Sequence, residues 1–162
     1  MLRIFTGSDL AAAIQGSFPN AVRQTEQDAV IVQGDALLEV CFFLRDHPDL
    51  QFDYLSSVTA TDYIDYFEVV YHLYSLSREQ SAVLKARAPG RADPWVPSVV
   101  PVWKGAEMQE REMWDLLGVR CEGHPNLKRI MMWEGYPGHP LRKDFVEFDH
   151  RTFHAATTPA EV

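Results

Sequence analysis

The sequence is short of the residues that most metal, nucleic-acid and membrane chemistry needs. It has two cysteines, Cys41 and Cys121. A structural zinc or an iron–sulfur cluster takes about four soft ligands at close spacing, so these two thiols alone fit neither. Cys41 stands in an apolar run and is expected in the core. Cys121 and His124 spell C-x-x-H, but no second ligand pair follows. Lysine and arginine number 15 against 23 acidic residues, for a net charge of -8. No basic run is present, and this charge repels nucleic acid and anionic lipid at long range, so no nucleic-acid partner is expected. The densest apolar stretch, Ala36 to Leu44, is broken by Glu39 and is far too short to cross a bilayer. Direct membrane insertion is therefore not expected. The opening "MLRIFTGSDLAAAIQGSFP" lacks the apolar core of a secretory signal, which predicts a protein kept in the cytosol. It could still sit on a membrane by binding an integral partner.

What is present is ordinary globular material. Hydrophobic residues make up 46% and charged residues 23% of 162 residues, enough for one domain with a real core and a tail. "GSDLAAAIQGSF" predicts a short helix capped by Ser8 or Asp9. "DAVIVQG" predicts a strand ended by Gly34. "DALLEVCFFLRDHPDL" predicts a second helix, with Asp35 as N-cap and Pro48 as stop. "QFDYLSSVTATDYID" is rich in strand formers. "YFEVVYHLYSLS" alternates, with Phe67, Val69, Tyr71 and Leu73 on one face and Glu68, Val70, His72 and Tyr74 on the other. "SAVLKARA" alternates likewise, so the two predict an antiparallel hairpin. His72 reads as a sheet residue. "APGRADPWVPSVVPVW" is too proline-rich for a central strand and predicts a loop with a short extended segment. The fold class expected is α+β: two layers, a mixed β-sheet covered by helices, with an irregular extended C-terminal tail. The expected division is a compact domain over 1–118 and an extended docking segment over 119–162.

"GAEMQEREMWDLLG" predicts a helix from Gly105 to Gly118, with Gly118 as its left-handed stop. Ala106, Met113 and Leu117 share its apolar face. Glu107, Arg111 and Asp115 follow at i, i+4 and i+8, the spacing of a surface salt-bridge ladder. Glu110 falls in the middle of the apolar face, where a lone carboxylate would cost several kcal/mol to desolvate. A cation from the tail is expected to reach it: Arg120, Lys128, Arg129, Arg142 or Lys143. A solvated or a catalytic carboxylate is the alternative.

The tail contains "GYPGHPLRKDF", Gly135 to Phe145. It matches neither the P-loop nor the dinucleotide fingerprint, and its prolines remove the amide donors that a phosphate nest uses. A metal site would need His124, His139 and a carboxylate brought together. Both histidines precede proline, which pushes their backbone into extended form. The reading favoured is an extended strap. Ile130, Met131, Met132, Trp133, Tyr136, Leu141 and Phe145 are too much apolar surface to leave in water, so a partner is expected to cover it. Arg129, Arg142, Lys143 and Asp144 would fix its register by charge-assisted hydrogen bonds.

"EREMWDLLGVRCEGHPNLKRIMMWEGYPGHPLRKDF" resembles the motif of the C subunit of NADH-quinone oxidoreductase, the thirty-kilodalton subunit of respiratory complex I. The matching residues are Glu110, Arg111, Glu112, Trp114, Asp115, Gly118, Gly123, His124, Pro125, Leu127, Arg129, Ile130, Pro140, Leu141, Arg142, Lys143 and Asp144. The likeness spans about Tyr54 to Phe145. The resemblance implies a redox-inactive structural subunit of the peripheral arm, on the cytoplasmic side of the cell membrane, with no catalytic, cofactor or metal site of its own. NADH, FMN, iron–sulfur clusters and quinone are then bound by partner subunits. It implies a hetero-oligomer in which this chain holds subunits D, B and I. The same-family subunit of a membrane-bound hydrogenase or an F420H2- or ferredoxin-dependent complex, a hydrolase using Glu112, His124 and His139, and a free adaptor are the other readings.

Overall fold

The computed structural model describes residues 2–146. Residues 147–162 of the expected docking segment lie outside the described residues. The elements run β1 (Arg3–Ile4), α1 (Gly7–Ser17), β2 (Val22–Thr25), β3 (Val30–Val32), α2 (Leu37–Asp46), β4 (Tyr54–Asp62), β5 (Tyr66–Ser75), β6 (Gln80–Pro89), β7 (Trp95–Pro97), α3 (Ala106–Leu117) and β8 (Arg120–Glu122). The expected α+β class is what is observed.

The main sheet has the order β2-β3-β6-β5-β4, and β1 pairs with the start of β6. It is mixed: β3 and β1 run parallel to β6, whereas β2–β3, β4–β5 and β5–β6 are antiparallel. The hairpin of β5 and β6 supplies the centre, with Phe67, Val69, Tyr71 and Leu73 set opposite Ala88, Ala86, Leu84 and Ala82. All eight are buried, and three of the four pairs set a larger side chain against alanine. On the other face Glu68 is buried under two cations, Lys85 at 3.1 Å and Arg87 at 3.2 Å, while His72 is exposed as a sheet residue.

β7 and β8 make a small parallel sheet, with Trp95, Val96 and Pro97 opposite Arg120, Cys121 and Glu122. Val119 and Cys121 are buried in the core cluster, so compact packing runs past Gly118 to Glu122. The pairing was not expected from the sequence because each strand has only three residues. The helix caps also differ from expectation. Thr6, not Ser8 or Asp9, caps α1: its hydroxyl accepts from the Asp9 amide at 3.2 Å, and the Asp9 carboxylate accepts from the Thr6 amide at 3.4 Å. Asp35 caps nothing; α2 starts after Ala36 without a side-chain cap.

Thr6→Ala removes one arm of this capping box and is expected to lower stability by about 1 kcal/mol, read as a shift of the urea midpoint at unchanged slope.

Candidate docking site

At about 100° per residue the twelve residues of α3 present three stripes. Ala106, Glu110, Met113 and Leu117 face the core, and all four are buried. Gln109, Glu112 and Leu116 face β4. Arg111, Trp114 and Asp115 face the irregular chain from Gly123 to Val146, here termed the ribbon.

Glu110 meets no cation among the described residues, contrary to expectation. Its carboxylate accepts from the Ser98 hydroxyl and from the Val99 amide, both at 2.7 Å, within the loop between β7 and α3. Burial is the largest influence and raises its pKa; the Ser98 and Val99 donors, His124 and the Cys121 thiol pull the other way without cancelling it. Burial and Glu110 together push the Cys121 thiol well above its ordinary value. This is a buried, hydrogen-bonded structural carboxylate, held by local backbone because the turn at Ser98 leaves an amide with nowhere else to donate.

The expected ladder of Glu107, Arg111 and Asp115 is absent. Asp115 is fully buried and Arg111 nearly so. One Asp115 oxygen accepts three successive amides, Ile130 at 2.9 Å, Met131 at 2.7 Å and Met132 at 2.8 Å. The other accepts from Arg129 at 2.6 Å. Burial would raise the Asp115 pKa, but these donors outweigh it and hold the carboxyl below its usual range. Arg111 donates to the carbonyls of Lys128 at 3.0 Å and Arg129 at 3.1 Å. A carboxylate and a guanidinium one turn apart thus hold opposite polarities of the same stretch of ribbon backbone.

The ribbon in turn finishes the helix. The last four carbonyls of an α-helix have no partner within it. Here Trp114 takes the Gly118 amide at 2.7 Å, and Leu116 takes the Leu141 amide at 2.9 Å. Asp115 takes His139 Nδ1 at 2.9 Å, Leu117 takes Arg142 Nε at 2.6 Å, and Gly118 takes Arg142 Nη2 at 3.3 Å. Gly118 has φ +73, and a methyl group there would collide with the Arg142 guanidinium and the His139 ring. Burial, together with Arg142 and Arg129, keeps the His139 pKa below its ordinary value despite its bond to Asp115, so the neutral ring is the donor.

A clasp closes the far end. Arg91 bridges the buried Asp62 at 2.7 Å and the exposed Asp144. Asp62 also accepts the Lys143 amide at 2.9 Å, and Arg142 donates to the Arg91 carbonyl at 3.0 Å. The Arg91 bond outweighs burial at Asp62, and with the Lys143 and Ile64 amides it drives that carboxyl far below its usual range. Neither Asp62 nor Arg91 was singled out from the sequence; the Asp that ends the strand-forming run "LSSVTATD" was the available signal.

The expected site residues therefore divide. Glu110, Arg111, Asp115, Gly118, Arg129, Arg142 and Asp144 are brought together as an internal scaffold, so the charges expected to set a partner's register set the ribbon on its own helix instead. The Lys143 side chain is exposed, and only its amide joins the clasp. His124 Nδ1 accepts the Asn126 amide at 3.0 Å, so Nε2 carries the proton and donates to the Glu107 carbonyl at 2.9 Å. His139 reaches Asp115, eight residues and about 12 Å further along the helix, so the two histidines are not brought together. Glu112, Pro125 and Leu141 are exposed and Pro140 half-buried. Beside the exposed Lys128, Glu134 and Lys143, the scaffold displays four large apolar side chains: Ile130 at 39%, Met131 at 57%, Trp133 at 42% and Leu141 at 59% exposure.

Comparison with known proteins locates this arrangement. Residues 30–151 match the family described as Respiratory-chain NADH dehydrogenase, 30 Kd subunit. The C 2 subunit of NADH-quinone oxidoreductase from Rhizobium meliloti (strain 1021) is 45% identical over 140 residues, 82% of this chain and 76% of that protein. The C subunit of the same enzyme from Acidothermus cellulolyticus (strain ATCC 43068 / DSM 8971 / 11B) is 40% identical, over 85% of this chain and 76% of its own length. A chain in the structure of the membrane-bound sulfane sulfur reductase, an archaeal respiratory membrane complex, shares the fold with TM-score 0.68 and 24% identity, covering 93% of this chain and 89% of that one.

Asp115→Asn replaces one carboxylate oxygen by an NH2 group that cannot accept, so either Arg129 or the three amides lose their acceptor. It is expected to cost about 3–5 kcal/mol in urea unfolding and to speed amide exchange at 130–132 ahead of exchange in β5 and β6. Because the folded Asp115 pKa is depressed, the parent holds this advantage above pH ~4 and loses it as acid protonates the carboxylate, so the gap between the two proteins closes there. The Glu110 pKa is raised, so the sign reverses. The parent's contribution is complete below pH ~4 and is lost as pH rises through the folded value. Glu110→Gln is therefore expected to gain stability relative to the parent between pH ~4 and pH ~7, checked by urea midpoints at both.

Proposed function

Since the chain belongs to the family of the 30 kDa subunit of respiratory-chain NADH dehydrogenase, we propose that it is a redox-inactive structural subunit of the peripheral arm of a proton-translocating NADH:quinone oxidoreductase. In this reading it packs among subunits D, B and I, foremost against the first of these, and the redox groups and quinone belong to those neighbours. Its position is peripheral, on the cytoplasmic side of the membrane. Among the described residues no helix is long and apolar enough to cross a bilayer, and no group of three His, Cys, Asp or Glu side chains could hold a metal. The names of the relatives above favour this assembly over a hydrogenase-type complex.

The observation that carries the proposal is the contrast within the ribbon. The backbone from Lys128 to Met132 and the Arg129, His139 and Arg142 side chains are turned inward and paired on α3, while Ile130, Met131, Trp133 and Leu141 stand outward. Exposed apolar side chains gathered on a rigid support are what a protein interface requires, because association then buries surface without an ordering cost. The role of such a protein is rigidity: it fixes the separation of the neighbours that carry electrons.

Ile130→Asp and Met131→Asp change only exposed side chains, so the isolated chain is expected to unfold within about 0.5 kcal/mol of the parent. In cells carrying either variant as the sole copy, the chain is expected to be lost from the membrane complex on native gels and in affinity purification. Full incorporation would overturn the proposal.

A further inference from the structure

β4 is the outer strand of the sheet, and its free edge faces α3 across a groove of about 250 Å³ lined by Val58, Ala60, Glu112, Met113, Leu116 and Leu141. Two hydrogen bonds fix the phase of that edge. The Val58 amide points outward, to Gln109 Oε1 at 2.6 Å, and the Tyr63 amide points inward, to the Tyr66 carbonyl at 3.0 Å. In an antiparallel strand the amide and carbonyl of one residue point the same way and successive residues alternate. The Ala60 amide and carbonyl therefore face the groove, where no side chain of α3 pairs with them. Gln109, itself anchored on the Gly105 carbonyl at 3.2 Å, takes the Val58 amide, and beyond the groove the Lys143 amide donates to the Asp62 carboxylate.

We propose that this groove receives a short extended segment of the neighbouring subunit, which pairs with Ala60 as an added strand and sets a lysine or arginine against Glu112. Three features select that occupant. The edge offers one donor and one acceptor side by side, the pattern that an extended backbone satisfies. Glu112 stands on the rim, exposed, with no cation paired to it among the described residues, in a chain whose net charge is -8. Leu141, the exposed leucine of the P-L-R-K-D run, lines the same groove and adds apolar surface to it. Gln109 Oε1 already plays at Val58 the part that the segment's carbonyl would play at Ala60. The inference rests on the proposed structural role and deepens it: the apolar crest of the ribbon supplies area, and the groove supplies register and charge selection.

The test compares Ala60→Pro and Glu112→Lys with the crest variant Met131→Asp, each assembled with its native neighbours. Proline at an outward-facing edge position removes that amide without touching the β4–β5 ladder, and Glu112 is exposed, so both variants are expected to fold with parental circular dichroism. Each is expected to weaken incorporation about tenfold in competition with the parent, the equivalent of one lost charge-assisted contact or paired amide. Exchange at the Ala60 amide is expected to slow on assembly. A photo-crosslinker placed at 112 is expected to mark an extended, lysine- or arginine-bearing segment of another subunit. Parental incorporation of Ala60→Pro and Glu112→Lys, unprotected Ala60, or a crosslink to a second copy or to this chain's own residues 147–162 would overturn the groove. If Met131→Asp alone fails to assemble, the groove fails and the structural role stands. If all three assemble, both fail.

Discussion

The C-terminal turn of α3 is the constraint from which the rest follows. A helix that ends inside a protein leaves carbonyls that water does not reach, and each must find a donor or weaken the fold. Here the donors come from a segment about two dozen residues later: His139, the Leu141 amide and Arg142. The motif H-P-L-R is thus a helix cap supplied from a distance. Proline keeps it extended, so backbone and side-chain donors can reach successive carbonyls. The left-handed Gly118 leaves the room that His139 and Arg142 fill.

A division of polarity accompanies that cap. Arg111 and Asp115 face the ribbon with donor and acceptor reversed, and between them they fix the backbone from Lys128 to Met132. Desolvating two such groups costs several kcal/mol each, and a single ion pair does not reliably recover it. The structure surrounds each with backbone partners instead. The result is rigidity where a loop would ordinarily be mobile, and a rigid loop can keep apolar side chains outward without collapsing onto its own domain.

The sequence carried the sheet and helices well and the scaffold poorly, for identifiable reasons. The alternation of Phe67, Val69, Tyr71 and Leu73 and the left-handed stop at Gly118 are local signals, and both survive intact in the fold. β1, with two residues, and β7 and β8, with three each, are too short to show a period. The spacing of Glu107, Arg111 and Asp115 suits a solvated ladder as well as it suits two buried anchors. Only the arrival of residues 128–132 decides between them, and that contact is not local. Glu110 misled in the opposite direction: its position on the apolar face was legible, but its partners, Ser98 and the Val99 amide, were hidden in a proline-rich stretch that offered no period. The P-L-R-K-D residues were recognisable as a unit, whereas their use on the chain's own helix was not.

The remote cap also sets a schedule for biosynthesis. Asp115 leaves the ribosome 24 residues ahead of His139, an interval of roughly one to five seconds at ordinary translation speeds. Arg129 and the amides of 130–132 can reach the carboxylate within that interval, but the last carbonyls of α3 stay open until His139, Leu141 and Arg142 arrive. The outward apolar side chains at 130, 131 and 133 are thus synthesised before the residues that finish the helix beneath them, so their support completes itself only as the chain reaches Arg142.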